Sequence, residues 1–265
     1  MAKKEIFKKE ANPAQEFLPI RVSDFDKMIN LGGVEKGNTI LITGGAGSGK
    51  TTFCLQSAIN ALNNNENVLY ITFEESPEKM IRHMKNNFGW DFNAYEKKGK
   101  FKIIKKDPFE LNREVKGEIA SMRGKKLLIK VKGVKDLIPK GFKPSRIFVD
   151  SLSALSSAFE DDKETYRIYL IKLFRDLEEN KSVNLIIGET EQNPNTYSRT
   201  GVEEFLVDGV VVLYNFRQGQ MRERGIEILK LRCSNHSKSL APYTITNNGL
   251  EIHSESMIFL DSQKQ

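Results

Sequence analysis

The chain has 265 residues, 39% of them hydrophobic and 29% charged, which reads as a soluble globular protein; its longest apolar run, residues 210–214, is far short of the ~20 residues that cross a bilayer. Two cysteines, Cys54 and Cys233, and three scattered histidines, His83, His236 and His253, argue against a disulfide framework and against a zinc site. The net charge of +6 is uneven: residues 97–146 carry 17 Lys/Arg against 5 Asp/Glu, a local +12, which leaves −6 for the remainder and points to a partner or an interface.

Residues 1–16 are polar and charged, and Met1-Ala2-Lys3-Lys4-Glu5 has no apolar signal region. The expectation is a cytoplasmic protein with a mobile N-terminal arm, one folded unit over 17–256 and a short tail over 257–265. Residues 38–43 read as a buried strand, because Ile40, Leu41 and Ile42 run together; a glycine-rich turn follows, and then a helix over 50–62. Residues 68–73 form the next apolar strand. Ser76 as cap and Pro77 at the first helical position start a helix that ends near Phe88-Gly89. A short strand over 101–104 leads into the basic segment 107–145. There, 110–122 fits a helix, and 126–134 alternates apolar and basic residues, as in an exposed strand or hairpin.

Ile147, Phe148 and Val149 make a third buried strand. Residues 162–180 place Tyr166, Tyr169, Leu170, Leu173, Phe174 and Leu177 at helical spacing. A fourth strand spans 183–187. Residues 207–214, 225–232, 241–246 and 249–253 then read as strands with no long helix between them. The order predicts an α/β fold: a mainly parallel sheet covered by helices, with antiparallel strands added at the C-terminal end.

Gly44-Gly45-Ala46-Gly47-Ser48-Gly49-Lys50-Thr51 fits the phosphate-loop pattern G-x-x-x-x-G-K-[ST]. Its glycines let main-chain N–H groups curl around phosphate oxygens, and the helix that starts at Lys50 aims its positive end at the same anion. The bland alternative is a glycine turn with no ligand. The predicted strand before the pattern and helix after it favour the functional reading. The binding set for ATP is then Gly45, Ala46, Gly47, Ser48, Gly49, Lys50, Thr51 and Thr52. Lys50 reaches the β- and γ-phosphates, and Thr51 ligates Mg²⁺. Asp150, at the end of the strand Arg146-Ile147-Phe148-Val149, is the expected carboxylate of the magnesium shell, with a helix cap as its alternative. Glu74 and Glu75 end the strand after the phosphate-loop helix. One of them orients or deprotonates the attacking water, and spacing alone does not choose between them.

The series of phosphate loop, Phe73-Glu74-Glu75-Ser76-Pro77, Phe88-Gly89-Trp90, Val149-Asp150-Ser151, Gly201-Val202-Glu203-Glu204-Phe205 and Lys230-Leu231-Arg232 resembles the KaiC branch of RecA-like ATPases over about residues 20–253. The resemblance implies a RecA-like P-loop NTPase core assembled into a homo-oligomeric ring, usually of six subunits, with ATP between neighbours. It implies hydrolysis by Glu74 and Glu75, with Lys230 and Arg232 reaching across the interface to the γ-phosphate. It also places Ser234, His236, Thr246 and Asn247 near the nucleotide, on the neighbouring subunit's side. From spacing alone, Lys230 and Arg232 only share one strand face, and His236 reads as a surface histidine. Two departures stand out: Cys233 where a glycine is usual, and a basic, strand-like 107–145 where a helix is usual. With one phosphate loop in the chain, the single-domain form is expected rather than a tandem clock protein. Ser198 and Thr200 carry no self-phosphorylation signature.

Three functions compete. The first is an ATPase whose hydrolysis changes ring conformation and regulates a protein partner. The second is a DNA-binding recombination mediator, suggested by the basic 97–146. It is disfavoured, because aromatic residues are sparse there and the presumed inner loop 191–204 holds one Arg and three Glu. The third is an ATP-sensing scaffold of a motility or signalling complex, against which the intact glutamate pair argues.

Overall fold

The structure, a computed structural model, describes residues 16–121, 133–191, 196–218 and 220–258. A short ribbon of β1 (Phe17–Leu18) and β2 (Val34–Glu35) precedes the main sheet, with a 3₁₀ turn at Ser23–Met28 between them. The parallel strands are β3 (Thr39–Gly44), β4 (Val68–Thr72), β5 (Phe101–Lys105), β6 (Arg146–Asp150), β7 (Val183–Ile187) and β8 (Gly209–Gln218). Antiparallel β9 (Met221–Leu231), β10 (Ala241–Thr246) and β11 (Gly249–Ile252) extend it, in the order β5-β4-β6-β7-β3-β8-β9-β10-β11. The expected α/β class is therefore observed, antiparallel extension included.

Every residue of β3, β4, β6 and β7 is buried. Such strands need cover on both faces, which is why they read as unbroken apolar runs. Alternation within each run divides the core into two. Ile40, Ile42, Val68 and Tyr70 face one layer with α1 (Lys50–Asn63), α2 (Pro77–Phe88) and α3 (Phe92–Lys97). Leu41, Leu69, Ile71 and Val149 face the other, with α4 (Pro108–Ser121), α6 (Leu152–Ala158) and α7 (Lys163–Glu179). Helix α2 begins as its sequence implies: Ser76 accepts a hydrogen bond from Lys79 N at 3.3 Å, and Gly89 closes it at φ +70°. On α7, Tyr166, Tyr169, Leu170, Leu173 and Leu177 are buried, while Phe174 is half-buried.

Two expectations change. The exposed strand over 126–134 lies outside the described residues up to 132, and Val134 instead opens the short helix α5 (Val134–Leu137). Residues 152–158, to which the sequence assigned no element, form α6, and its N-cap is Ser151 rather than Asp150. Of the expected arm and tail, residues 1–15 and 259–265 lie outside the described residues. Among the described residues, no helix is long and apolar enough to cross a membrane.

A buried ionic node ties the chain's start to the sheet. Arg146, at the first position of β6, is 0% exposed. Its Nε donates to Glu66 Oε2 at 2.6 Å and its Nη2 to Glu66 Oε1 at 3.2 Å and to Pro19 O at 2.8 Å. Arg21 Nε shares the same carboxylate at 2.8 Å.

Candidate active site

Strands β3, β4, β6 and β7 end level: Thr72 pairs with Asp150, Asp150 with Ile187, and Ile187 with Ile42. Whatever follows each strand therefore converges on one crevice, as open parallel sheets require. The phosphate loop leaves β3 through Gly44, whose φ of +150° and whose closeness to Leu213 O (2.0 Å from a would-be Cβ) admit only glycine. Gly49 caps α1 at φ +89°, with no side chain bonded to the first amides of the helix. These amides and the positive end of a 14-residue helix form an anion site.

Lys50 is buried, and its ammonium donates to Gly44 O and Gly45 O, both at 3.0 Å. Burial pulls its pKa down, while the charges of Glu189, Asp150 and Glu74 push it up. Thr51 Oγ1 lies 3.4 Å from Asp150 Oδ2, which also accepts from Tyr70 OH at 2.8 Å. Asp150 is 7% exposed. Glu74 accepts a hydrogen bond from Ser151 Oγ, whereas Glu75 Oε1 lies 3.1 Å from Lys79 Nζ on α2. The donor set suits both implied ligands. Ser48 Oγ and Asn215 Oδ1 are buried without partners beside the loop. Thr51 and Asp150 offer hard oxygens, and Mg²⁺ needs only one or two from protein when phosphates and water supply the rest.

The crevice thus gathers Gly45, Ala46, Gly47, Ser48, Gly49, Lys50, Thr51, Thr52, Glu74, Glu75 and Asp150 on adjoining segments. It does not gather Lys230 and Arg232. Lys230 lies near the end of β9 and Arg232 just follows it; β9 runs antiparallel, so Leu231 pairs with Gly209, the first residue of β8 and four residues before Leu213, the partner of Gly44. Lys230 Nζ donates to Glu204 O at 2.9 Å and Val207 O at 2.7 Å, on and just after α8 (Glu203–Leu206). Arg232 pairs with Asp208 at 3.2 Å and donates to Phe205 O at 3.1 Å. It lines a cavity of about 800 Å³ at that end of the sheet, with Lys36 and Arg175. Cys233 adopts φ +57°, the left-handed region where the resemblance has glycine.

Among the described residues, Ser234 Oγ bonds locally, to Asn235 O at 3.2 Å. His236 pairs with Ile29 as an isolated bridge, and burial lowers its pKa. Both lie with Arg232, away from the phosphate loop. Thr246 and Asn247 differ. Their hairpin packs on the chain's own loop: Tyr243 OH donates to Ser48 O, and Ile245 Cδ1 sits 2.7 Å from where a Cβ on Gly49 would be. The hairpin that carries them thus sits beside the chain's own phosphate loop.

Glu189 was missed by the sequence reading. It stands two residues beyond β7, and its charge heads those that bear on Lys50. Its N–H donates to Ser153 Oγ at 2.8 Å. The signal was available, since a carboxylate just past an apolar run also picked out Glu74 and Asp150. Gly188 interrupted the run.

Burial, opposed by the Tyr70 hydrogen bond and aided by the Glu74 charge, raises the Asp150 pKa to about 6. Between its ordinary value and 6 the folded chain keeps a proton that the unfolded chain releases. This stabilises the fold at low pH and is lost as pH rises through 6. At pH 7 the ionised carboxylate costs on the order of 3 kcal/mol without ligands. Asp150→Asn is therefore expected to raise the ligand-free melting temperature at pH 7. The gain should vanish below about pH 4, as thermal melts across that range will show.

The KaiC ATPase family profile matches residues 18–257. The chain is 34% identical over 225 residues to the circadian clock oscillator protein KaiC of Parathermosynechococcus lividus, covering 84% of this chain and 40% of that one. It is 34% identical over 250 residues to the circadian clock protein KaiC3 of Synechocystis sp., covering 94% of this chain and 48% of that one. The chain thus spans less than half the length of these relatives. Among solved structures, a KaiC-like protein from the hyperthermophilic archaeon Pyrococcus horikoshii OT3 superposes with a TM-score of 0.71 at 28% identity, covering 90% of this chain and 99% of that one. With its phosphate loop at the level ends of a RecA-like sheet, the chain belongs to the KaiC family of ATPases.

Proposed function

We propose that the chain hydrolyses ATP with Mg²⁺ at sites shared between neighbouring copies of a ring, expected to hold six, and that turnover changes the ring's conformation to regulate a protein partner. In this reading the loop amides and Lys50 bind and orient the triphosphate. Thr51 and Asp150 hold Mg²⁺, which neutralises charge on the phosphate oxygens. A glutamate at the end of β4 orients the attacking water and takes its proton. Lys230 and Arg232 of the adjacent copy stabilise charge developing on the γ-phosphate.

The separation of the two half-sites carries the inter-subunit part. Leu231 lies level with Ile40, four residues of β3, or roughly 13 Å, from Gly44. Two basic groups that cannot serve their own phosphate loop are suitably placed to serve another copy's.

Mixing two inactive variants tests this. Lys50→Ala retains the basic pair, and Arg232→Ala retains the phosphate loop. Each alone is expected to lose hydrolysis. A 1:1 mixture should regain roughly a quarter of wild-type turnover if neighbours associate at random around a closed ring. A mixture as inactive as its components, while light scattering shows assembled rings, rejects the shared site.

A further inference from the structure

Glu74 and Glu75 are neighbours at the end of β4, but their carboxylates go to different places. Glu75 turns to α2, 3.1 Å from Lys79 Nζ and 3.8 Å from His83 Nδ1. Its carbonyl accepts from Thr72 Oγ1 at 3.2 Å, and the same hydroxyl accepts from Glu74 N at 3.2 Å. That hydroxyl braces the corner between the two. Glu74 turns instead toward β6, where its Oε1 meets Ser151 Oγ.

Ser151 is 1% exposed and directly follows Asp150. Its oxygen already accepts Ala154 N at 3.2 Å, the cap of α6. A hydroxyl has one proton and two lone pairs. With a lone pair committed to Ala154 and an acceptor-only carboxylate on the other side, the proton goes to Glu74. The helix cap therefore fixes the donor's direction, and the donor fixes one carboxylate oxygen. The Glu74 charge bears on Lys50 and Asp150 in the same crevice.

We propose that Ser151 is a positioning residue that selects Glu74, rather than Glu75, as the carboxylate that orients the attacking water. This rests on the ATPase reading above and assigns the chemistry within it. Lys79 and His83 complete the division by holding Glu75 on the outer side of α2.

The test uses the full chain and measures kcat, KM and MgATP affinity for Ser151→Ala, Ser151→Thr, Glu74→Gln and the double variant Ser151→Ala/Glu74→Gln. Ser151→Ala should lower kcat about 10- to 100-fold, the range for a misplaced reacting group, with MgATP affinity unchanged. Ser151→Thr, which keeps both the cap and the donor, should restore turnover to within about threefold. In the Glu74→Gln background, Ser151→Ala should cost nothing more, because residues acting as one unit are not additive. If Ser151→Ala unfolds, Ser151→Asp keeps an N-cap acceptor without a proton to give, and its kcat should fall likewise. Full turnover in Ser151→Ala, or losses that multiply in the double variant, overturn the role. Absence of turnover in the unaltered chain defeats the ATPase reading itself, and a wild-type rate beside an unaffected Ser151→Ala defeats only the positioning.

Discussion

Glu66→Ala is expected to lower the stability of the fold by about 3–5 kcal/mol, the cost of stranding one partner of a buried ion pair. Arg146 has no access to solvent, and a guanidinium does not neutralise itself by losing a proton. Among the described residues, Glu66 supplies two of the three side-chain hydrogen bonds that Arg146 makes and the only carboxylate paired with it, while also holding Arg21. Truncation leaves the buried charge with Pro19 O alone and frees the segment that lies over α1, where Asn60 Nδ2 donates to Arg21 O at 2.8 Å. For a chain of this size the melting temperature should fall by roughly 6–20 °C. Glu66→Gln, which keeps an acceptor, should cost less. An alanine variant within about 1 kcal/mol of wild type, the scale of an exposed pair, would show that the node is not what fixes residues 19–22 to the sheet.

Lys50→Ala should weaken MgATP binding at least about a hundredfold and reduce hydrolysis by a similar or larger factor, the scale on which preorganised charge acts in such sites. The charges that bear on Lys50 come chiefly from Glu189, Asp150 and Glu74. Without its ammonium the crevice presents carboxylates to a polyanion, and the loop amides alone do not offset that repulsion. The fold should survive, since Lys50 is itself a desolvated charge whose removal relieves a burial cost. Equal melting temperatures without nucleotide, together with the lost affinity, check both halves. A variant that still binds within about tenfold of wild type, one step of 1.4 kcal/mol, would remove Lys50 from the site.

The central sheet was legible because its strands are buried on both faces. Ile40-Leu41-Ile42, Ile147-Phe148-Val149 and residues 183–187 have no polar face to confuse their period. The site was legible for the same reason: Lys50, Glu74 and Asp150 each stand where an apolar run stops. Short pieces were not legible. Helix α6 is the seven-residue, serine-rich Leu152–Ala158, whose serines favour caps and turns over helix interiors. The ribbon strands β1 and β2 have two residues each, too few to show a period. Nor could spacing divide the work between Glu74 and Glu75, because the proposed division depends on Ser151, the N-cap of α6, and Lys79 from α2, brought in by the fold. Only the resemblance, and no spacing, put Thr246 and Asn247 near the nucleotide. The β10–β11 hairpin folds back on α1, where Gln56 Nε2 donates to Leu250 O at 3.1 Å.

The central claim is that the turn around Lys50 grips a triphosphate. Isothermal titration of MgATP into the wild-type chain tests it most directly. Saturable heat with one nucleotide per chain, absent from Lys50→Ala under the same conditions, is the expected result. A flat titration of correctly folded wild-type protein would contradict it.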